Sequence, residues 1–159
     1  MCIDFEDPPF TLGTQWGNAY GNSPGDVAFT DQGATVSVEN FTLGAYTGFV
    51  NAQVQNGSGL AGQSMWISNI NLKFDFTGLP FTVGRVTFDF ADLGGSENIA
   101  VNGSGIVEGE LASGTVGGVP LTVAGGAPVG DGTLVGTVRD LAIGGQEFYL
   151  DDVCAFEVP

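Results

Sequence analysis

Apolar and polar residues alternate along much of this chain. The clearest run is Ile70-Asn71-Leu72-Lys73-Phe74-Asp75-Phe76, in which every second residue is apolar. Successive side chains of a strand point to opposite faces, so this run predicts a strand with one buried and one solvated face. Arg85-Val86-Thr87-Phe88-Asp89-Phe90 repeats the pattern after a turn at Gly78-Leu79-Pro80. Near the start, Ile3 and Phe5 share one face and Cys2, Asp4 and Glu6 the other, until Pro8-Pro9 stops the strand. Shorter strand-like runs cover residues 27–29, 34–38, 41–48, 49–55, 98–101, 105–111, 115–123, 133–138 and 141–143. A last strand follows the turn at Gly144-Gly145 and runs to Glu157, whereas residues 10–26 and 125–132 read as loops. No segment keeps a 3.6-residue period, and Gly, Thr and Val dominate where a helix would need better formers. Many short strands separated by turn residues predict an all-β fold, an antiparallel β-sandwich.

Composition narrows this picture. The 159 residues fit a single β-sandwich domain spanning 1–159, long enough to bury a core. The 27 glycines follow no Gly-X-Y period, which excludes collagen and fits many tight turns. Eighteen acidic residues face only Lys73, Arg85 and Arg139, for a net charge of −15. Three cations cannot form a basic patch, so nucleic acid and anionic membrane surfaces are excluded as partners. No run is long and apolar enough to span a bilayer, so no membrane insertion is expected. Met1 followed at once by a strand-like sequence reads as an exported chain whose signal has been removed.

The sequence contains no histidine. That removes the usual general base, the Ser-His and Cys-His pairs, and the commonest transition-metal ligand. Carboxylate pairs could still hydrolyse glycosides. However, Glu97, Glu108 and Glu110 read as solvated turn and strand residues, and the loops are short. The chain is read as no enzyme.

The two cysteines, Cys2 and Cys154, sit one near each end, which invites a disulfide between the first and last strands. The alternative is a pair of buried free thiols. Antiparallel pairing of Cys2 with Cys154 would set Asp4 near Asp152 and Glu6 near Leu150. Opposed carboxylates repel, and no cation in the sequence is placed to neutralise them. Either they splay into solvent or they hold a metal. An oxygen-only donor set without His or a spare thiolate points to a structural Ca²⁺ held among Asp4, Glu6, Asp151 and Asp152.

Asp4-Phe5-Glu6 at one end and Phe148-Tyr149-Leu150-Asp151-Asp152-Val153 at the other resemble the terminal signature of jelly-roll carbohydrate-binding modules. The resemblance implies a sandwich of jelly-roll type with a structural Ca²⁺. It makes Glu6 and one of Asp151 or Asp152 the ligands, with Asp4 in reserve. The stretches Val86–Phe90, Gly94–Gly103 and Ile143–Phe148 look similar to secreted bacterial proteins of the PEP-CTERM-associated kind, which implies export to a polysaccharide-rich surface. On this reading the protein is secreted, extracellular or at the cell surface. It binds a polysaccharide or cell-surface glycan, and Trp16, Tyr20, Tyr46 and Trp66 are the candidate platforms for sugar rings. The other reading is a structural subunit of an extracellular filament, sheath or matrix, formed by self-association of β-domains through sheet edges.

Overall fold

The computed structural model describes residues 1–158. In chain order, the strands are β1 (Cys2–Ile3), β2 (Gln15–Gly17), β3 (Val27–Asp31), β4 (Ala34–Leu43), β5 (Tyr46–Gly48) and β6 (Asn51–Asn56). They continue with β7 (Gln63–Ser68), β8 (Ile70–Asp75), β9 (Val83–Asp92), β10 (Glu97–Val101) and β11 (Val107–Gly109). The last five are β12 (Gly114–Val116), β13 (Val119–Gly125), β14 (Val129–Val135), β15 (Asp140–Gly145) and β16 (Phe148–Glu157). The helical content is one 3-10 turn, Asn18–Tyr20. The first sheet has the order β12-β13-β14-β9-β16-β7-β6-β2, with β1 added along β16. The second has the order β11-β10-β15-β8-β4-β3, with β5 on β4. Neighbouring strands are antiparallel throughout, and neither sheet closes on itself.

The alternation places the core between the sheets. Ile70, Leu72, Phe74 and Phe76 are buried from one sheet, and Val86, Phe88 and Phe90 from the other. Complete burial of such a side chain stabilises by roughly 1.5–3 kcal/mol. Phe90 stacks on Phe148 of the neighbouring strand, ring centroids 5.8 Å apart. Phe5, Phe10 and Phe29 meet edge to face, with Phe5–Phe10 at 5.1 Å and Phe10–Phe29 at 4.9 Å, bringing the N-terminal loop onto the second sheet.

Three differences from the sequence expectation have physical causes. Residues 129–132 form a paired strand rather than a loop, because the Phe88 and Phe90 rings of β9 lie over the cross-strand glycines Gly132 and Gly130. A side chain at either glycine would collide with the ring that covers it, and the aromatic supplies the packing that glycine lacks. β7 falls in the stretch between residue 55 and Ile70, where the sequence pattern predicts no strand. Its apolar Met65 and Ile67 are buried, but the polar Ser64 is buried as well, which blurs the period. Finally, β1 stops after Ile3. Phe5 adopts φ 57° and drops into the core, while the Asp4 side chain accepts a hydrogen bond from the Glu6 backbone N–H at 3.2 Å. Asp4 therefore makes a turn and has no ladder partner opposite Asp152.

The pairing of the ends is as read. Cys2 lies opposite Cys154 and Ile3 opposite Val153, and the two cysteines form a disulfide. β16 changes partner along one edge: Phe148, Tyr149 and Leu150 pair with β7, whereas Val153 and Cys154 pair with β1. Asp151 and Asp152 occupy the gap between these partners. The register against β9 shifts between Asp151 and Cys154, and Asp152 sits at φ 47°. This is a bulge, and it re-aims the Asp152 carboxylate, while Asp151 stays in register with Asp89.

Candidate functional site

The outer face of the first sheet carries two adjacent rows of side chains. The first row crosses β2, β6, β7, β16, β9 and β14 through Gln15, Gln53, Trp66, Tyr149, Ala91 and Val129. Trp66 and Tyr149 are direct cross-strand neighbours. Their inward flanks, Met65, Ile67, Phe148 and Leu150, are buried, which turns the two aromatics outward. Both are half-buried. Tyr149 donates its hydroxyl to Gln55 Oε1 at 3.0 Å, and Gln55 donates to Gln53 Oε1 at 2.8 Å. Asn51 donates to Gln15 Oε1 at 2.9 Å, while its own Oδ1 has no partner. The Trp66 ring borders a cavity of about 420 Å³ that also takes in Ser68, Asn69, Gln146 and Glu147. Burial of the Tyr149 phenol raises its pKa, so the hydroxyl is a neutral donor and acceptor.

The other aromatic candidates lie elsewhere. The Trp16 indole N–H donates to the Ala28 carbonyl at 3.0 Å, and its ring packs on Phe29 at 5.3 Å. Tyr20 is exposed in the 3-10 turn. Tyr46 is exposed on β5, edge-on to Phe41 at 6.4 Å. The four do not share one face. Tyr149 is the neighbour of Trp66 that sequence reasoning passed over. Its outward parity on the last strand, shared with Asp151, was the available signal.

The second row lies two residues along the same strands. Asp131, Asp89 and Asp151 stand directly opposite one another on β14, β9 and β16. Asp152 adds its charge from the bulge, and Glu6 comes across from the N-terminal loop. Glu6 is anchored there: its side chain accepts from the Gln63 backbone N–H, and its carbonyl accepts from the Gln63 amide at 3.0 Å. Asp151 is only 4% exposed, and its Oδ1 accepts the Asp152 backbone N–H at 2.9 Å. Burial, opposed in part by that hydrogen bond and reinforced by the charges of Asp152, Glu6 and Asp89, pushes its pKa up to about 7. Burial raises the Asp89 pKa as well, with Asp152 and Asp131 adding to it. Of the carboxylates named from the sequence, Glu6, Asp151 and Asp152 are brought together, Asp4 is turned away, and Asp89 and Asp131 join them. Among the described residues, no three metal-ligating side chains surround one point closely enough to hold an ion in the present arrangement. None of the described helices is long and apolar enough to cross a membrane.

No protein-family model, curated protein or solved structure matches this chain, so the site is argued from its own geometry.

Proposed function

We propose that this chain is a secreted, non-catalytic glycan-binding module, a β-sandwich of jelly-roll type, that takes a polysaccharide or cell-surface glycan on its Trp66–Tyr149 face. The observation that carries the reading is the pair of outward aromatic rings flanked by Gln15, Gln53, Gln55 and Asn51. Sugar rings present apolar C–H faces and hydroxyl edges. An aromatic surface meets the first, and side-chain amides, which both donate and accept, meet the second. The disulfide between the end strands fits an oxidising, extracellular setting. The surrounding acidity favours neutral over anionic sugars.

Ca²⁺ is the cofactor of this reading, held by Glu6, Asp151 and Asp152 with Asp89 beside them. It would relieve the repulsion in the acidic row next to the aromatic face. Replacing Asp151→Ala together with Asp152→Ala is expected to abolish the part of any Ca²⁺-dependent rise in melting temperature that this cluster supplies. The test of the main reading is a broad glycan array in millimolar CaCl₂ with a chelator control. One sugar class is expected to bind, and Trp66→Ala should weaken that binding at least about tenfold, equivalent to about 1.4 kcal/mol. A blank array with folded protein, or a Trp66→Ala variant that binds as the parent does, overturns it.

The filament or matrix reading rests on the two open sheets, whose edges β2, β12, β11 and β3 leave backbone groups free for another copy. A concentration-dependent increase in mass by light scattering, together with a blank array, would favour it.

A further inference from the structure

Glu97 opens β10, and its neighbour Asn98 points out of the sandwich. Asn98 is held there by reciprocal bonds with the Thr42 backbone, each 2.8 Å, and by the Asn71 amide at 3.1 Å. Strand alternation therefore sends Glu97 inward, between the sheets. It is 1% exposed, and neither carboxylate oxygen has a hydrogen-bond partner of ordinary geometry, although the Leu111 backbone N–H and the Asp92 carboxyl lie near enough to act on its charge. A buried carboxylate requires either a proton or a countercharge. The charged side chains beside it are Asp92, at the end of β9 in the opposite sheet, and Glu110, just beyond β11. Asp92 and Glu110 also line a cavity of about 440 Å³ with Gly94 and Pro128. The three cationic side chains, Lys73, Arg85 and Arg139, lie elsewhere. Lys73 lines a groove on the outer face of the second sheet, Arg85 lies 4.1 Å over the Phe156 ring, and Arg139 borders the cavity at Phe76 and Phe81.

We propose that Asp92, Glu97 and Glu110 bind a hard divalent cation of the Ca²⁺ class at this end of the sandwich, in a site separate from the Glu6–Asp151 cluster. The donor set is oxygen-only, which selects Ca²⁺ over Zn²⁺. Glu97 is fixed by the strand. Asp92 is partly exposed and Glu110 exposed. In the present arrangement the three carboxylates do not surround one point, so binding requires the Asp92 and Glu110 side chains to turn in towards Glu97. One Asp92 oxygen accepts the Gly94 backbone N–H at 2.8 Å, leaving the other for the ion. The ion would tie β9 of one sheet to β10 and β11 of the other.

The test is calorimetric titration with CaCl₂ at pH 7.5 after removal of bound ions with a chelator. It is run on the parent and on the Asp151→Ala/Asp152→Ala variant, which lacks the first cluster. That variant is expected to bind one Ca²⁺ per chain, and adding Glu97→Gln is expected to abolish the binding. Glu110→Gln at the rim, which leaves the buried position untouched, should weaken the affinity severalfold and provides the check if Glu97→Gln folds poorly. An Asp151→Ala/Asp152→Ala variant that binds no Ca²⁺, or that binds equally well after Glu97→Gln, overturns the proposal. Glycan binding is a separate readout, so a blank array leaves this site standing or falling on its own.

Discussion

Removing the Cys2–Cys154 disulfide is expected to lower stability by about 2–5 kcal/mol. The bond joins residues 152 apart in sequence, so it restrains nearly the whole unfolded chain. The native state also depends on it locally. β1 has two residues and two ladder pairs, supported further by Met1, which exchanges bonds with the Ala155 backbone at 2.9 and 3.2 Å, and by the Gln32 amide, which bonds both backbone groups of Cys2. So short a strand does not hold by hydrogen bonds alone. When it leaves, Ile3 and Phe5 leave the core, and Glu6 leaves the carboxylate cluster. Urea denaturation of the parent with and without reductant, and of Cys2→Ser/Cys154→Ser, measures the effect. Reduction should also weaken any Ca²⁺ response that depends on Glu6. A stability change below about 1 kcal/mol would show that the ends are held by packing alone.

The second large effect concerns pH. Asp151 and Glu97 both have folded-state pKa values raised to about 7, from ordinary values of 3.8 and 4.5. Burial is the leading cause for both, followed for Glu97 by Asp92 and Glu110, with the Leu111 backbone N–H opposing them. Between roughly pH 4 and 7 the folded state thus holds protons that the unfolded state has released. Stability is highest below the ordinary carboxylate pKa, falls as pH rises through this window, and levels off above about 7. For Glu97 the shift corresponds to about 3 kcal/mol at most, reduced by solvent at these partly open clusters to about 1–2 kcal/mol. With Asp151 behaving similarly, denaturation in chelator should show a loss of about 2–4 kcal/mol from pH 4.5 to pH 8. Asp151→Asn and Glu97→Gln should each flatten part of the slope, and the double variant most of it. Millimolar CaCl₂ should restore stability at pH 8, because a bound cation replaces the lost proton. A parent protein equally stable at both pH values in chelator would sink this expectation.

Much of the fold was legible because its signals are local. The alternation in Ile70–Phe76 and in Val86–Phe90 predicts the burial of their apolar residues, which the structure shows; Asn71 departs from it, being covered on the outer face where its amide bonds the Asn40 carbonyl and Asn98. The terminal cysteines predict the Cys2–Cys154 register, and the strands pair in that register. Residues 129–132 were not legible as a strand, since the partner that makes Gly130 and Gly132 tolerable is a phenylalanine row about forty residues earlier. Glu97 was read as a solvated residue for the same kind of reason. A glutamate beginning a strand after Gly94-Gly95 looks exposed until the opposite sheet and residues 110–111 close over it.

The sequence by itself determined the class of structure. Side-chain parity is set within each strand, so two antiparallel sheets around an apolar core, closed at the chain ends by a disulfide, follow from period and from two cysteines. Only the tertiary structure decided which chemical groups meet. Trp66 and Tyr149 became neighbours through the pairing of β7 with β16. Asp131, Asp89 and Asp151 became a row through two registers that no local pattern specifies. The bulge at Asp152, and the turn that takes Phe5 into the core, removed the expected Asp4–Asp152 pairing and left Glu6 near enough for its charge to act on Asp151. A one-residue change of register moves every side chain of a strand to the other face, so the site exists only at the level where registers are chosen.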